Sequence, residues 1–149
     1  MQLRLVNADA PILRRKAIRC TKTNVPPRLE DAMIEFAASM TALGLAAPQV
    51  DYSLRLIVVR YPWRKYPDGH YLVMRNPRIV TASRHQHIAS EGCLSLPGVE
   101  YVVPRALTVT VEWDGGKRMF VGMDARVIQH EIDHLDGILI SDRGTKVEG

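Results

Sequence analysis

His130-Glu131-Ile132-Asp133-His134 sets two histidines four residues apart with a glutamate beside the first. On a helix that spacing puts both imidazoles on one face, one turn apart, where they can reach a single metal ion. The glutamate can then reach a water in the remaining coordination position, so the stretch reads as metal-assisted hydrolysis. A helix over 124–136 is predicted to carry it, with Asp124 as N-cap and Gly137 as the C-terminal stop. At 100° per residue, Ala125, Ile128, Ile132 and Leu135 form an apolar stripe. His130 and His134 fall roughly opposite, flanked by Val127 and Glu131. The helix is therefore expected to anchor through one face and present its histidines on the other. A surface helix with two solvated histidines satisfies the same pattern, so the reading turns on a third ligand elsewhere.

Outward from the helix, Glu91-Gly92-Cys93-Leu94-Ser95-Leu96-Pro97 offers that ligand. A thiolate binds zinc or ferrous iron strongly, and two histidines with one cysteine leave the fourth position open for water. A buried apolar thiol is the alternative fate of Cys93. Gly44-Leu45-Ala46-Ala47-Pro48-Gln49 is the other unusual segment. Its small residues let backbone approach a ligand closely, and the Gln49 amide can point an N–H into a site as an oxyanion donor does. A tightly packed turn explains the same residues.

The 149 residues fit a single domain spanning 1–149, 46% hydrophobic and 24% charged, as in ordinary globular proteins. No run of 18 apolar residues predicts a membrane span, and the N-terminus does not look like a signal peptide. Two cysteines, Cys20 and Cys93, are too few for a disulfide scaffold, so a cytoplasmic location is expected and Cys20 reads as a structural thiol. The net charge is +4, and Arg14, Arg15, Lys16 and Arg19 cluster near the N-terminus. A solvated basic face is the preferred reading over a nucleic-acid or ribosome contact, because no zinc-finger, RRM or P-loop pattern accompanies it.

Leu29, Ala32, Met33, Phe36, Ala37 and Met40 recur at spacings of three and four, predicting a helix over 28–41 that follows Pro26-Pro27, with Gly44 as its stop. Leu56-Ile57-Val58-Val59 and Tyr71-Leu72-Val73-Met74 read as strands. Leu107 to Trp113 alternates, Asp114-Gly115-Gly116 turns, and Arg118 to Val121 returns as the partner strand.

The three motif segments together resemble the peptide deformylase family. Its motifs, G-x-G-x-A-A-x-Q, E-G-C-L-S and Q-H-E-x-D-H, stand here in order. They are Ala42-Leu43-Gly44-Leu45-Ala46-Ala47-Pro48-Gln49, Glu91-Gly92-Cys93-Leu94-Ser95 and Gln129-His130-Glu131-Ile132-Asp133-His134. Pro11-Ile12-Leu13-Arg14 and Val103-Pro104-Arg105-Ala106 are also similar. The resemblance implies an α+β fold, mostly antiparallel strands packed around a central helix bearing the two histidines. It implies removal of the formyl group from N-formylmethionine at the start of nascent polypeptides. Cys93, His130 and His134 match the metal ligands, and Glu131 matches the catalytic glutamate. Gln49 and the Leu94 backbone N–H match the groups holding the formyl oxygen. Leu43, Gly44, Glu91 and Gly92 are expected along the substrate, as are Met123, Arg126 and Val127 from the helix. Glu91 and Arg105 are expected to pair and order the site. The family commonly uses ferrous iron and accepts zinc, nickel or cobalt. N-formylmethionyl peptides are the implied partner, with weak ribosome association, no membrane, no specific nucleic acid, and a monomeric chain.

Three departures stand out. Ala42 replaces the first motif's usual glycine, which strains the chain if that position needs φ > 0. Asp124 and Arg126 lie where members often place apolar residues near the methionine pocket. Arg126 is expected to snorkel outward along its stem rather than narrow or polarise the pocket. The sequence ends twelve residues after Gly137, where cellular bacterial members carry a further helix implicated in ribosome docking. A compact, phage-type form is therefore the expectation. His85 and His87 would share a strand face as exposed polar residues.

Three rival readings remain at this point. A zinc peptidase shares H-E-x-x-H but draws its third ligand from His or Glu. A non-catalytic module with a structural metal predicts a closed four-ligand site. A basic RNA-binding protein predicts steeply salt-dependent affinity.

Overall fold

The computed structural model describes residues 1–62 and 70–148. The chain is α+β, built from antiparallel three-stranded sheets around one long helix. Helix α1 (Leu29–Ser39) precedes strands β1 (Gly44–Ala46), β2 (Leu56–Arg60) and β3 (Tyr71–Arg75), which form the first sheet in that order. Strand β4 (Arg78–Ala82) joins β7 (Thr108–Trp113) and β8 (Gly116–Val121) in the second, ordered β4-β7-β8. The long hairpin of β5 (Gln86–Cys93) and β6 (Leu96–Ala106) takes β9 (Thr145–Lys146) on its β6 edge. Helix α2 (Met123–Leu135) and the short α3 (Ile140–Arg143) complete the described elements.

Strand β2 explains why its sequence is apolar without a break. It pairs with β1 on one side and β3 on the other, and both of its faces are covered. Ile57 and Val59 face a cluster that includes Phe120 of β8 and Ile128, Ile132 and Leu135 of α2. Leu56 and Val58 face the opposite cluster, with Leu29 and Met33 of α1. The period of two along one strand thus binds the two helices to opposite faces of one sheet.

The predicted helices form, with shifted ends. Helix α1 stops at Ser39, before Gly44, because Thr41 takes a left-handed conformation (φ 50°) and Gly44 opens β1. Gly122, not Asp124, caps α2, and Asp124 sits in the first turn, where a carboxylate favours the helix dipole. Gly137 ends α2 as expected. Its φ is 74°, and a Cβ there would stand 2.7 Å from the Arg14 carbonyl oxygen.

The predicted stripe of Ala125, Ile128, Ile132 and Leu135 is buried. The opposite face is not open as expected, because Arg126, Glu131, Asp133 and His134 are buried too. The hairpin β5–β6 covers that side, and His130 retains partial exposure toward a cleft. No helix among the described residues is long and apolar enough to cross a membrane.

Candidate functional site

Helix periodicity delivers the first two donors. His130 and His134 stand one turn apart on α2 with ring centroids 5.2 Å apart. The third comes from a break in the β5–β6 ladder. Glu91 pairs with Tyr101, but Cys93 pairs with Leu96, so β6 contributes several extra residues and the end of β5 is turned toward α2. Cys93 Sγ lies 3.4 Å from His134 Nε2. One ligand atom from each of Cys93, His130 and His134 falls within 4.8 Å of the others. This is the one such group among the described residues, so His85 and His87 join no metal-type cluster, and both are exposed as expected.

The surroundings fit a bound cation. His130 Nδ1–H donates to Glu91 Oε1 at 2.9 Å, which fixes the ring and leaves Nε2 directed elsewhere. Burial alone would push Glu91 up, but its hydrogen bonds from His130 and Arg105 bring it to about 2. Burial opposes a charge on His130, yet contacts with Cys93 and Glu91 and the nearby charge of Glu131 raise it to about 10. His134 is pushed well below its ordinary value by burial, with the charges of His130 and Arg105 adding to the effect. Cys93, Glu91 and Glu131 thus favour positive charge at His130, while burial keeps His134 the neutral imidazole that a metal needs.

Glu131 is 4% exposed, and its Oε1 is buried without a hydrogen-bond partner among the described residues. Burial raises its carboxyl to about 7 against the opposing pull of His130. Gln49 is fixed by the 3-10 turn Ala47–Val50. Its Oε1 accepts from the Ala46 N–H at 3.0 Å, so the amide nitrogen must face the site. That nitrogen lies 3.6 Å from Cys93 Sγ and 3.4 Å from Ser95 Oγ. Leu94, at the β5–β6 turn, stands on the wall of the same cleft.

The cleft has a volume of about 1050 Å³. Leu43, Gly44, Gly92, Met123 and Val127 line it, and so do Glu91 and Arg126. Ala42 shows no strain, since the positive φ falls on Thr41, and Ala42 packs in the core.

Arg126 overturns its expectation. It is 4% exposed and points inward, not outward. Its guanidinium donates to Glu91 Oε2, to the Val103 carbonyl at 2.9 Å and to the His87 carbonyl at 2.6 Å. A stem that snorkels needs water within reach, and here the β5–β6 hairpin stands in the way with acceptors of its own.

The expected Glu91–Arg105 pair is present and bidentate, at 2.9 Å for each bond. Sequence reasoning did not extend it to Asp133, which accepts from Arg105 at 2.6 Å and from Arg143 at 2.9 Å. Nor did it single out Ser95, which is buried beside the Gln49 amide. Both lie inside the quoted motifs, which was the one available signal.

The family model described as Polypeptide deformylase matches residues 2–148. Among curated relatives, the peptide deformylase of Roseiflexus castenholzii is 41% identical, covering 84% of this chain and 78% of that protein. That of Dictyoglomus thermophilum is 42% identical, covering 91% and 88%. Among solved structures, the Met-Ala-Ser-bound class I type b peptide deformylase of Acinetobacter baumannii has a TM-score of 0.85 at 34% identity, covering 96% of this chain and 98% of that one. The peptide deformylase of Thermotoga maritima has a TM-score of 0.85 at 32% identity, covering 97% and 99%. With donors, glutamate and fold in agreement, the chain belongs to the polypeptide deformylase family, metalloenzymes that remove the N-formyl group from nascent peptides.

Proposed function

We propose that Cys93, His130 and His134 hold one divalent ion, natively ferrous iron, with zinc, nickel or cobalt able to replace it. One thiolate and two imidazoles suit all of these ions. When bound, the ion supplies Lewis acidity that activates a water near neutral pH and polarises the formyl carbonyl.

The chain's own residues divide the remaining work. Glu131 Oε1, buried and unpartnered, takes a proton from the attacking water. As water adds to the formyl carbon, the Gln49 amide and the Leu94 N–H receive the developing oxyanion. Glu131 then returns the proton to the amine as the C–N bond breaks, and formate and the free amino terminus leave. The methionine side chain lies against Leu43, Met123 and Val127, with Gly44 and Gly92 beside the peptide backbone. The Acinetobacter baumannii relative bound to Met-Ala-Ser supports an N-terminal methionyl peptide as the ligand of this cleft. Glu91 serves the metal ligand His130 and also lines the cleft.

The carrying observation is the unpartnered carboxylate oxygen of Glu131 beside three convergent metal donors. The chain acts as a single domain and a monomer in the cytoplasm. Its exposed Arg15 and Lys16 support weak contact with the ribosome. Anaerobically purified protein, analysed for metal, should release formate from formyl-Met-Ala-Ser and leave an internal peptide bond intact. Cleavage of the internal bond instead would make it a peptidase. Loaded metal with neither activity would make it a binding module.

A further inference from the structure

Arg126 stands one turn before His130 on α2, and all three of its recorded acceptors belong to the β5–β6 hairpin. His87 and Glu91 lie on β5, and Val103 lies on β6. The hairpin carries Cys93, while α2 carries His130 and His134. The same Glu91 carboxylate accepts from His130 Nδ1. One guanidinium therefore joins the helix with two donors to the hairpin with the third, at two backbone points and through the carboxylate that orients a histidine. Arg105 already pairs bidentately with Glu91, so neutralising that charge does not require a second guanidinium. What Arg126 adds is the link to the hairpin backbone. Burying a guanidinium is costly unless its donors are met, and this one meets three acceptors.

We propose that Arg126 is a positioning residue that fixes Cys93 relative to His130 and His134, and so sets how tightly the site holds its metal. This rests on the ligand assignment made under the proposed function. Arg126 also lines the cleft, so a plain pocket-wall role is the rival. The two separate because a wall residue acts on peptide binding, and a positioning residue acts on the metal.

The test compares wild type with Arg126→Lys and Arg126→Met, each stripped of metal and titrated with cobalt(II). Lysine keeps the charge, but as a point donor it cannot span three acceptors. Both variants should bind cobalt about tenfold to a hundredfold more weakly, the range for loss of a residue supporting a metal ligand. Their cobalt absorption bands should shift, while KM for formyl-Met-Ala-Ser changes little. Folded variants with wild-type cobalt affinity and bands would overturn the inference, and a raised KM in those variants would assign Arg126 to the pocket wall. Should Arg126→Met fail to fold, as judged by circular dichroism, Arg126→Lys decides. A folded Cys93→Ser variant with a wild-type cobalt spectrum would overturn the ligand assignment itself, and this inference with it.

Discussion

The Glu131 carboxylate occupies the space that a side chain on Gly44 would need: a Cβ built there would lie 2.7 Å from Oε2 and 2.8 Å from Cγ. Gly44 opens β1, and α2 packs across that strand, so the backbone and the Glu131 side chain are held face to face. Glu131 is buried, at the wall of the cleft. Gly44→Ala should therefore displace the carboxylate while leaving Cys93, His130 and His134 in place. Turnover should fall about a hundredfold or more, the scale of a lost general acid–base, with metal content unchanged. Wild-type kcat in the folded variant would show that the carboxylate can move without consequence.

Glu131→Ala should act more strongly on the same step. Metal should stay bound, because the three donors are untouched, and kcat should drop by about 10²–10⁴. In the double variant Gly44→Ala/Glu131→Ala the effects should not add, since the first substitution works only through the second residue. Additive losses would mean that Gly44 contributes in some other way, and near-normal turnover in Glu131→Ala would remove it from the reaction.

Much of this arrangement is legible in the sequence. The buried strand β2, the alternating β7 and the stripe on α2 follow from hydrophobic period, which is local information. The β5–β6 hairpin escaped because most of β5 is exposed, and on β6 only Val103 and Arg105 are buried. Such strands offer no apolar run. Cys93 and Gln49 gained meaning from their motifs, since spacing alone also allowed a buried thiol and a packed turn. The inward course of Arg126 is hidden from local sequence, because its acceptors lie 23, 35 and 39 residues away. No pattern around position 126 encodes them.

Gln49 works through both ends of its amide, and a substitution should reveal both. Its oxygen satisfies the buried Ala46 N–H, and its nitrogen faces Cys93. Gln49→Leu should lower kcat by about 10²–10³ through loss of an oxyanion donor. It should also cost about 1–3 kcal/mol of stability, because the Ala46 N–H is left buried without an acceptor. A kinetic loss with unchanged stability would show that water replaces the amide oxygen.

Metal removal should lower stability as well as activity. An ion that binds only the folded chain stabilises it by about 2.7 kcal/mol at a free concentration one hundred times its dissociation constant. A chelator should therefore lower Tm in wild type and have a smaller effect in Cys93→Ser, whose site lacks the thiolate. Equal shifts in the two proteins at matched pH would argue that Cys93 is not a ligand.

The buried ion pairs behind the site should differ in worth according to exposure. Arg105 is 5% exposed and bonds both Glu91 and Asp133. Arg143 bonds Asp133 from the other side, with its side chain 48% exposed. Removing a buried partner leaves uncompensated charge, so Arg105→Met should cost about 3–5 kcal/mol. The value should sit toward the lower end, because Arg126 still bonds Glu91 and Arg143 still bonds Asp133. Arg143→Met should cost no more than about 1 kcal/mol, since water replaces much of what it gives. Urea unfolding of the metal-free proteins, compared at constant m-value, measures both. Equal costs would mean that the two arginines share one environment, which their burial denies.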